Sequence, residues 1–558
     1  MTTVSPQPAI RRGTKLLRQV LTANVTSLRW RHVMALVGFI LVTGNVGFFH
    51  QLTAVYPISL TNAGFLLSLA VLVSALIVLL YSLFSLMIGN RLAAILLLLT
   101  TCMAAYFTDQ FGLVIDYTMI DNVMQTDSRE TQGLLSGSML LCFVAFGVLP
   151  AAVLLRIPTL QVSRWHEWRR SGFLGLAAFL VAITSLTSFS DHYASFFREH
   201  KSVRYYVNPI NPVFAISKYA ARRLQQPIDT ILQPILTDVQ PSTAVDARKL
   251  VVMVVGETAR SDRFSLNGYH RETNPHLNGE LGLVSYPDVQ SCGTSTAISV
   301  PCMFALSGQD HFEVATGRYT ENALDVLQRA GIKVLWRDNN SDSKGVALRV
   351  AYEDFRDADR NPICDSECRD IGMLDGLQDY IDMQQSGDIL IVLHQMGNHG
   401  PAYAERYPAE FEYFTPACQS NELSTCSQTE IDNAYDNAIR YTDYFLSEVI
   451  TLLKDNTAEY DATMMYVSDH GESLGENGVF LHGMPYMIAP VAQRNVPVIV
   501  WEENHRLASE PAGIYSHDDV FKSLLTTFGV KKIDAIRGRS FLAERNKVLP
   551  SDLVSQGE

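Results

Sequence analysis

Five apolar stretches, roughly 33–52, 63–88, 92–108, 137–155 and 172–190, dominate the first 190 residues, and none contains Asp, Glu, Lys or Arg. A helix of about 20 mostly apolar residues crosses a bilayer, and each stretch is near or above the lower limit for a span. The chain is therefore expected to pass the membrane five times. Charges buried in a membrane usually mark transport paths, so spans without any read as an anchor and scaffold. A long basic leader before the first span, and more spans directly after it, argue against a cleaved signal.

Charges between the spans set the orientation. Arg11, Arg12, Lys15, Arg18, Arg29 and Arg31 precede the first span, Arg91 follows the second, and Arg156, Arg164, Arg169 and Arg170 follow the fourth. Basic residues collect on the cytoplasmic side. The third loop carries Asp109, Asp116, Asp121, Asp127 and Glu130, and it falls on the other side. Five crossings from an inside start then deliver everything after about residue 191 to the outside.

Cysteine usage agrees with export. Cys102 and Cys142 lie in apolar stretches, whereas Cys292, Cys302, Cys364, Cys368, Cys418 and Cys426 all follow the last one. An even set in an exported domain points to disulfides, and sequential pairing, 292 with 302, 364 with 368 and 418 with 426, is the simplest scheme. A formal net charge of −13 argues against nucleic acid as a partner.

Residues 193–226 mix aromatic side chains with Arg198, Lys201, Arg204, Lys218, Arg222 and Arg223, a pattern suited to the membrane surface. A proline-bearing linker follows, with Pro227, Pro234 and Pro241. The expected division is 1–192 for the membrane domain, 193–247 for the bridge and linker, and 248–558 for an exported domain. In that last part apolar runs at 250–255, 333–336, 389–393, 463–467 and 496–501 read as strands. They alternate with helical patterns at 322–330, 433–454 and 517–528. Such alternation predicts a mostly parallel sheet covered by helices.

Ligands in open α/β sheets bind beyond the carboxyl ends of the strands. Here four predicted strands run into polar clusters: Gly256-Glu257-Thr258, then R-D-N-N-S-D-S-K closing at Lys344, H-Q-M-G-N-H-G spanning His394 and His399, and Ser468-Asp469-His470-Gly471-Glu472. His482 sits in a further L-H-G-M. Glu257, Asp469 and His470 are the donor types that zinc accepts. Residues 291–304, S-C-G-T-S-T-A-I-S-V-P-C-M-F, place Thr296 in a hydroxyl cluster bracketed by two cysteines. Alone this stretch also reads as a loop pinned by a disulfide. A hydroxyl needs a base or a metal to become a nucleophile, and the three donors would supply it, leaving a fourth position for Thr296. Lys344, His399 and His482 are then cations or donors for phosphate oxygens, one His protonating a leaving oxygen. In the third loop Asn122, Thr126 and Glu130 recur every four residues, which puts them on one helix face. Spacing alone leaves that face open to water or to a lipid headgroup.

The motifs G-E-T-A-R from Gly256, S-C-G-T-S-T-A-I-S-V-P-C-M-F, W-R-D-N-N-S-D-S-K-G from Trp336, H-Q-M-G-N-H-G-P-A-Y from His394 and S-D-H-G-E-S-L-G-E-N-G from Ser468 closely resemble the phosphoethanolamine transferases that modify lipid A, a family including the mobile colistin-resistance enzymes. The likeness extends over essentially the whole chain. It implies a five-helix transmembrane bundle followed by a periplasmic alkaline-phosphatase-like (sulfatase-like) α/β domain, on the inner membrane of a Gram-negative bacterium. It implies zinc held by Glu257, Thr296, Asp469 and His470, with Thr296 as nucleophile. Lys344, His399 and His482 match the family's phosphate-binding and second-metal positions, and Asn122, Thr126 and Glu130 its substrate residues in the membrane loop. The implied partners are phosphatidylethanolamine as donor, lipid A as acceptor and the inner-membrane lipids, with no need for a second subunit. The interval between Cys364 and Cys368 is shorter than the family pattern. Neighbouring readings are a metal-dependent phosphodiesterase, a phosphoglycerol transferase, transfer to a core sugar, or a receptor with a structural zinc site.

Overall fold

The computed structural model describes residues 24–126, 131, 133–200, 202–225, 231–237, 247–503, 513–530, 536 and 538–542. By internal contacts the chain forms two compact units, Met1–Ile120 with Leu135–Leu224, and Asp121–Leu134 with Gln225–Glu558.

Among the described residues of the first unit, four helices are long and apolar enough to cross a membrane: Leu60–Ile88, Asn90–Phe111, Gly137–Arg156 and Arg164–Ser188. The first apolar stretch of the sequence is instead a pair of helices, Trp30–Gly44 and Val46–Val55, bent by 62°. The bend has a cause at Asn45. Its side-chain amide donates to the Ile40 carbonyl (3.1 Å) and to the Asn208 carbonyl (2.9 Å), while its Oδ1 accepts from the Asn208 N–H (2.9 Å). These bonds satisfy backbone groups at a break in apolar surroundings, where an unmet polar group is costly. The Gly137–Arg156 span contains a π-helical segment, Phe143–Val148. Short strands β1 (Asn24–Ser27) and β2 (Leu160–Ser163) pair antiparallel beside the ends of these helices.

The second unit is built on a sheet. Its strands are β3 (Arg248–Gly256), β4 (Leu283–Gln290), β5 (Lys333–Asp338), β6 (Ala351–Asp354), β7 (Ile389–His394), β8 (Tyr460–Ser468), β11 (Asn495–Glu502) and β12 (Tyr515–Ser516). A separate two-stranded ribbon joins β9 (Ser473–Leu474) and β10 (Phe480–Leu481). The sheet order is β12-β4-β11-β8-β3-β7-β5-β6. From β8 to β6 all pairs are parallel; β11 runs antiparallel to both β8 and β4. Strand β3 is central, and Leu250 to Val255 are all fully buried, as a strand covered on both faces requires.

The long Gln428–Asp455 helix covers one face. Ser427 and Glu430 form a reciprocal capping box at its start, which satisfies the first free N–H groups. The sequential cysteine pairing is the one observed: Cys292–Cys302, Cys364–Cys368 and Cys418–Cys426. Cys102 and Cys142 are free thiols.

Candidate active site

Parallel strands all end on the same side of a sheet, so β3, β5, β7 and β8 deliver their following residues to one place. Glu257 follows β3, Asn339 and Asn340 follow β5, His394 ends β7, and Asp469 and His470 follow β8. Thr296 is the first residue of the Thr296–Met303 helix, and it is buried. The positive end of a helix favours negative charge developing on that side chain.

The Thr296 hydroxyl lies 3.2 Å from both Glu257 carboxylate oxygens and 3.4 Å from His470 Nε2. One metal-ligating atom from each of Glu257, Asp469 and His470 falls within 4.8 Å of the others. The local bonding leaves these atoms facing inward. Asp469 Oδ1 accepts from the Thr258 N–H (3.1 Å) and the His470 N–H (2.7 Å), whereas Oδ2 is buried without a hydrogen-bond partner among the described residues. His470 Nδ1 lies 2.9 Å from the Gly471 carbonyl, so it carries the proton and Nε2 presents its lone pair. That lone pair points among carboxylate oxygens, 3.3 Å from Asp469 Oδ2 and 3.4 Å from Glu257 Oε1.

Acceptors converging in this way repel one another unless a cation lies between them. Burial pushes the Asp469 carboxyl up and the His470 imidazole well down, the direction in which each group sheds its charge. A divalent cation reverses that preference for the carboxylate and requires the neutral imidazole. The donor set therefore fits a metal such as zinc, with Thr296 beside it. Glycines make room for the arrangement. At Gly397, with φ +53°, a Cβ would lie 2.9 Å from the Glu257 carbonyl, and at Gly471 one would meet the Ala492 carbonyl.

The other predicted residues divide into two groups. His482 and His399 join the cluster: the His470 and His482 ring centres are 4.4 Å apart, and those of His399 and His482 5.2 Å. Lys344 donates to the carbonyls of Ser341 (2.9 Å) and Gln125 (3.3 Å), so its ammonium is held between its own loop and the segment that carries Asn122 and Thr126. Asn122 lies in the Tyr117–Gln125 helix, and the Thr126 hydroxyl just beyond it donates to the Asn122 carbonyl (2.9 Å). Glu130 lies outside the described residues.

Several contributors were not singled out from sequence. Asn340 donates to Glu257 Oε2 (2.7 Å) and to the Gln395 carbonyl (2.7 Å), fixing the carboxylate. Glu472 pairs with His482 Nδ1 (2.9 Å) and accepts from the Tyr403 hydroxyl (2.7 Å). Both stand inside the quoted motifs, where position after a strand was the available signal. Asp370 accepts from the N–H groups of Met396 and Gly397 and so shapes the turn after β7; nothing in its own neighbourhood marks it. His394 is fully buried with its Nδ1 3.0 Å from Asp338 Oδ2.

A mostly parallel sheet with an acidic, imidazole-bearing cluster at its strand ends and a buried hydroxyl on the first residue of a helix is the arrangement of the alkaline-phosphatase-like (sulfatase-like) fold. A family profile described as sulfatase matches residues 249–530, and one described as phosphoethanolamine transferase EptA/EptB matches residues 72–224. The chain is 45% identical over 514 residues to the phosphatidylethanolamine transferase Mcr-2 of Escherichia coli, covering 89% of this chain and 95% of that protein. It is 43% identical over 525 residues to Mcr-1 of Escherichia coli, covering 91% and 96%. Among solved structures, the integral membrane lipooligosaccharide phosphoethanolamine transferase A (EptA) from Neisseria meningitidis superposes with a TM-score of 0.83 at 32% identity, covering 89% of this chain and 96% of that one. The chain belongs to the phosphoethanolamine–lipid A transferase family.

Proposed function

We propose that this protein transfers phosphoethanolamine from phosphatidylethanolamine to a lipid A phosphate by double displacement through Thr296. The observation that carries the proposal is the Thr296 hydroxyl, 3.2 Å from both oxygens of Glu257, beside an Asp469 oxygen without a hydrogen-bond partner among the described residues. Glu257, Asp469, His470 and Thr296 would hold one zinc ion, with His399 and His482 placed for a second. Bound zinc supplies charge that favours the threonine alkoxide and screens the negative phosphate.

In the first displacement Thr296 Oγ1 attacks phosphorus, a new P–O bond forms, and the bond to the diacylglycerol oxygen breaks. The hydroxyl hydrogen leaves toward the Glu257 carboxylate. Lys344, His399 and His482 bind the phosphoryl oxygens, and one imidazole protonates the departing diacylglycerol. The Glu472 carboxylate fixes which ring nitrogen of His482 faces the substrate. A lipid A phosphate oxygen then attacks the phosphothreonine phosphorus and gives its proton to the imidazole that protonated diacylglycerol; the bond between phosphorus and Thr296 Oγ1 breaks, and Thr296 recovers its proton from Glu257. Asn122, Thr126 and Glu130 bind the lipid headgroup at the membrane surface. The product gains an amine, which lowers the surface's negative charge and its attraction for cationic peptides such as polymyxin and colistin.

In this reading residues 1–192 anchor the enzyme in the inner membrane with five spans, the bent pair counting as one. Residues 193–247 are the membrane-surface bridge and the linker, and residues 248–558 form the periplasmic catalytic domain of a monomer. Mass analysis of lipid A from cells expressing the wild type and Thr296→Ala tests the proposal. Phosphoethanolamine is expected on lipid A from the wild type alone; equal modification by both would remove Thr296 from its role. Modification confined to a core sugar, or by glycerol phosphate, would replace the acceptor or the donor.

A further inference from the structure

His517 stands outside every motif discussed above, yet it joins the two halves of the site. It is fully buried immediately before the Asp518–Thr527 helix. Its Nδ1 accepts from the Cys292 N–H at 3.1 Å, and its Nε2 lies 2.9 Å from the Ser468 carbonyl. Cys292 opens the loop that leads to Thr296, and Ser468 directly precedes Asp469 and His470. A backbone N–H can only donate and a carbonyl can only accept, so one tautomer satisfies both: a neutral ring protonated at Nε2. The backbone N–H of His517 in turn donates to the Gln290 carbonyl (2.9 Å), which fixes the ring's own position.

We propose that His517 is a positioning residue that sets the spacing between the nucleophile loop and the metal-ligand turn. This role rests on the reading of Thr296 as nucleophile. The loop carrying Thr296 follows β4 and the turn carrying Asp469 follows β8, with β11 between those strands in the sheet. No ladder hydrogen bond therefore joins β4 directly to β8. The imidazole spans that gap with one bond to each side, and a planar ring holds the two at a fixed separation. Burial holds its pKa down at about 4, so the ring stays neutral and keeps both bonds across the working pH range. An error of about 1 Å in the placement of a reacting group costs on the order of 100-fold in rate, which is the effect a strut of this kind prevents.

The test uses the full-length protein in detergent and measures diacylglycerol release from phosphatidylethanolamine, zinc content and thermal unfolding. His517→Leu removes both bonds while filling the space. His517→Asn retains an acceptor near the Nδ1 position, and His517→Gln retains a donor near the Nε2 position. His517→Leu is expected to fold, hold zinc and bind donor with KM within about twofold of wild type, while kcat falls at least about tenfold. The Asn and Gln variants are expected to fall between Leu and wild type. Three results would each overturn the proposal: kcat of the Leu variant within twofold of wild type, Asn and Gln variants no better than Leu, or a Leu variant that loses its zinc or its fold. The last would assign His517 to folding. A wild-type protein that releases no diacylglycerol, or does so equally as Thr296→Ala, contradicts the underlying functional reading instead.

Discussion

The membrane unit and the catalytic unit both bury polar side chains, but they gather them differently. In the first, Ser68 meets the Ser185 hydroxyl (2.7 Å) and the Tyr193 hydroxyl (3.0 Å), Ser85 meets Ser171 (3.0 Å), and Asn45 and Asn208 close on each other's backbones. These pairs are neutral and join helices; the same unit also buries Glu167, whose Oε1 accepts from the Asn90 amide (2.8 Å) while its Oε2 has no hydrogen-bond partner among the described residues. In the second, ionisable side chains gather at the strand ends, and Asp469 Oδ2 has no hydrogen-bond partner among the described residues. The contrast is between neutral pairs that join helices and ionisable donors that converge at the strand ends within 4.8 Å of one another.

The largest expected effect is at the strand-end cluster. Asp469→Asn replaces the buried oxygen pair with a neutral amide. It should lower bound zinc, read by elemental analysis, and reduce turnover by at least about 100-fold, since changes even to the outer partners of metal ligands cost about 10–100-fold. Chelation of the wild type should abolish activity, and zinc should restore it; full activity in a metal-free protein would erase the distinction between the two regions.

Asn45→Ala probes the neutral kind of polar group. It strands the Asn208 N–H in apolar surroundings, so the membrane unit should lose about 1–3 kcal/mol of stability. Turnover per folded molecule should not change. If that variant lost turnover while remaining as stable as the wild type, the membrane unit's polar pairs would belong to the chemistry.

A smaller effect is expected at Asp443, in the Gln428–Asp455 helix. Burial raises its carboxyl to about 7, despite hydrogen bonds from the His276 and Leu277 N–H groups. A raised carboxyl binds its proton more tightly folded than unfolded. Its contribution is therefore complete below about pH 4 and is lost as pH rises through about 7, with a slope of at most about 1.4 kcal/mol per pH unit. Asp443→Asn should flatten the stability profile between those values without moving zinc content. An unchanged profile in the variant would show that the carboxyl titrates normally.

Much of this was legible in the sequence, for identifiable reasons. Central parallel strands are continuous apolar runs, and Leu250 to Val255 is one, so β3 and the cluster after it stood out. Strands β4, β6 and β12 did not: β4 contains Pro287 and Asp288 near the sheet edge, and the other two are short. The break at Asn45 was hidden because one amide in a long apolar run does not disturb its hydropathy. Its partner, Asn208, is remote in sequence. The convergence of Glu257, Asp469 and His470 was readable because all three stand within two residues of a strand end. His517 was not, since its role depends on which backbone groups two distant turns bring to it.

Intact and peptide mass spectrometry of the purified protein, after incubation with phosphatidylethanolamine, tests the central claim most directly. One phosphoethanolamine group on Thr296, accompanied by diacylglycerol release and absent from Thr296→Ala, is the predicted result. Zinc-loaded protein that yields neither adduct nor diacylglycerol, or that carries the adduct on another residue, would contradict it.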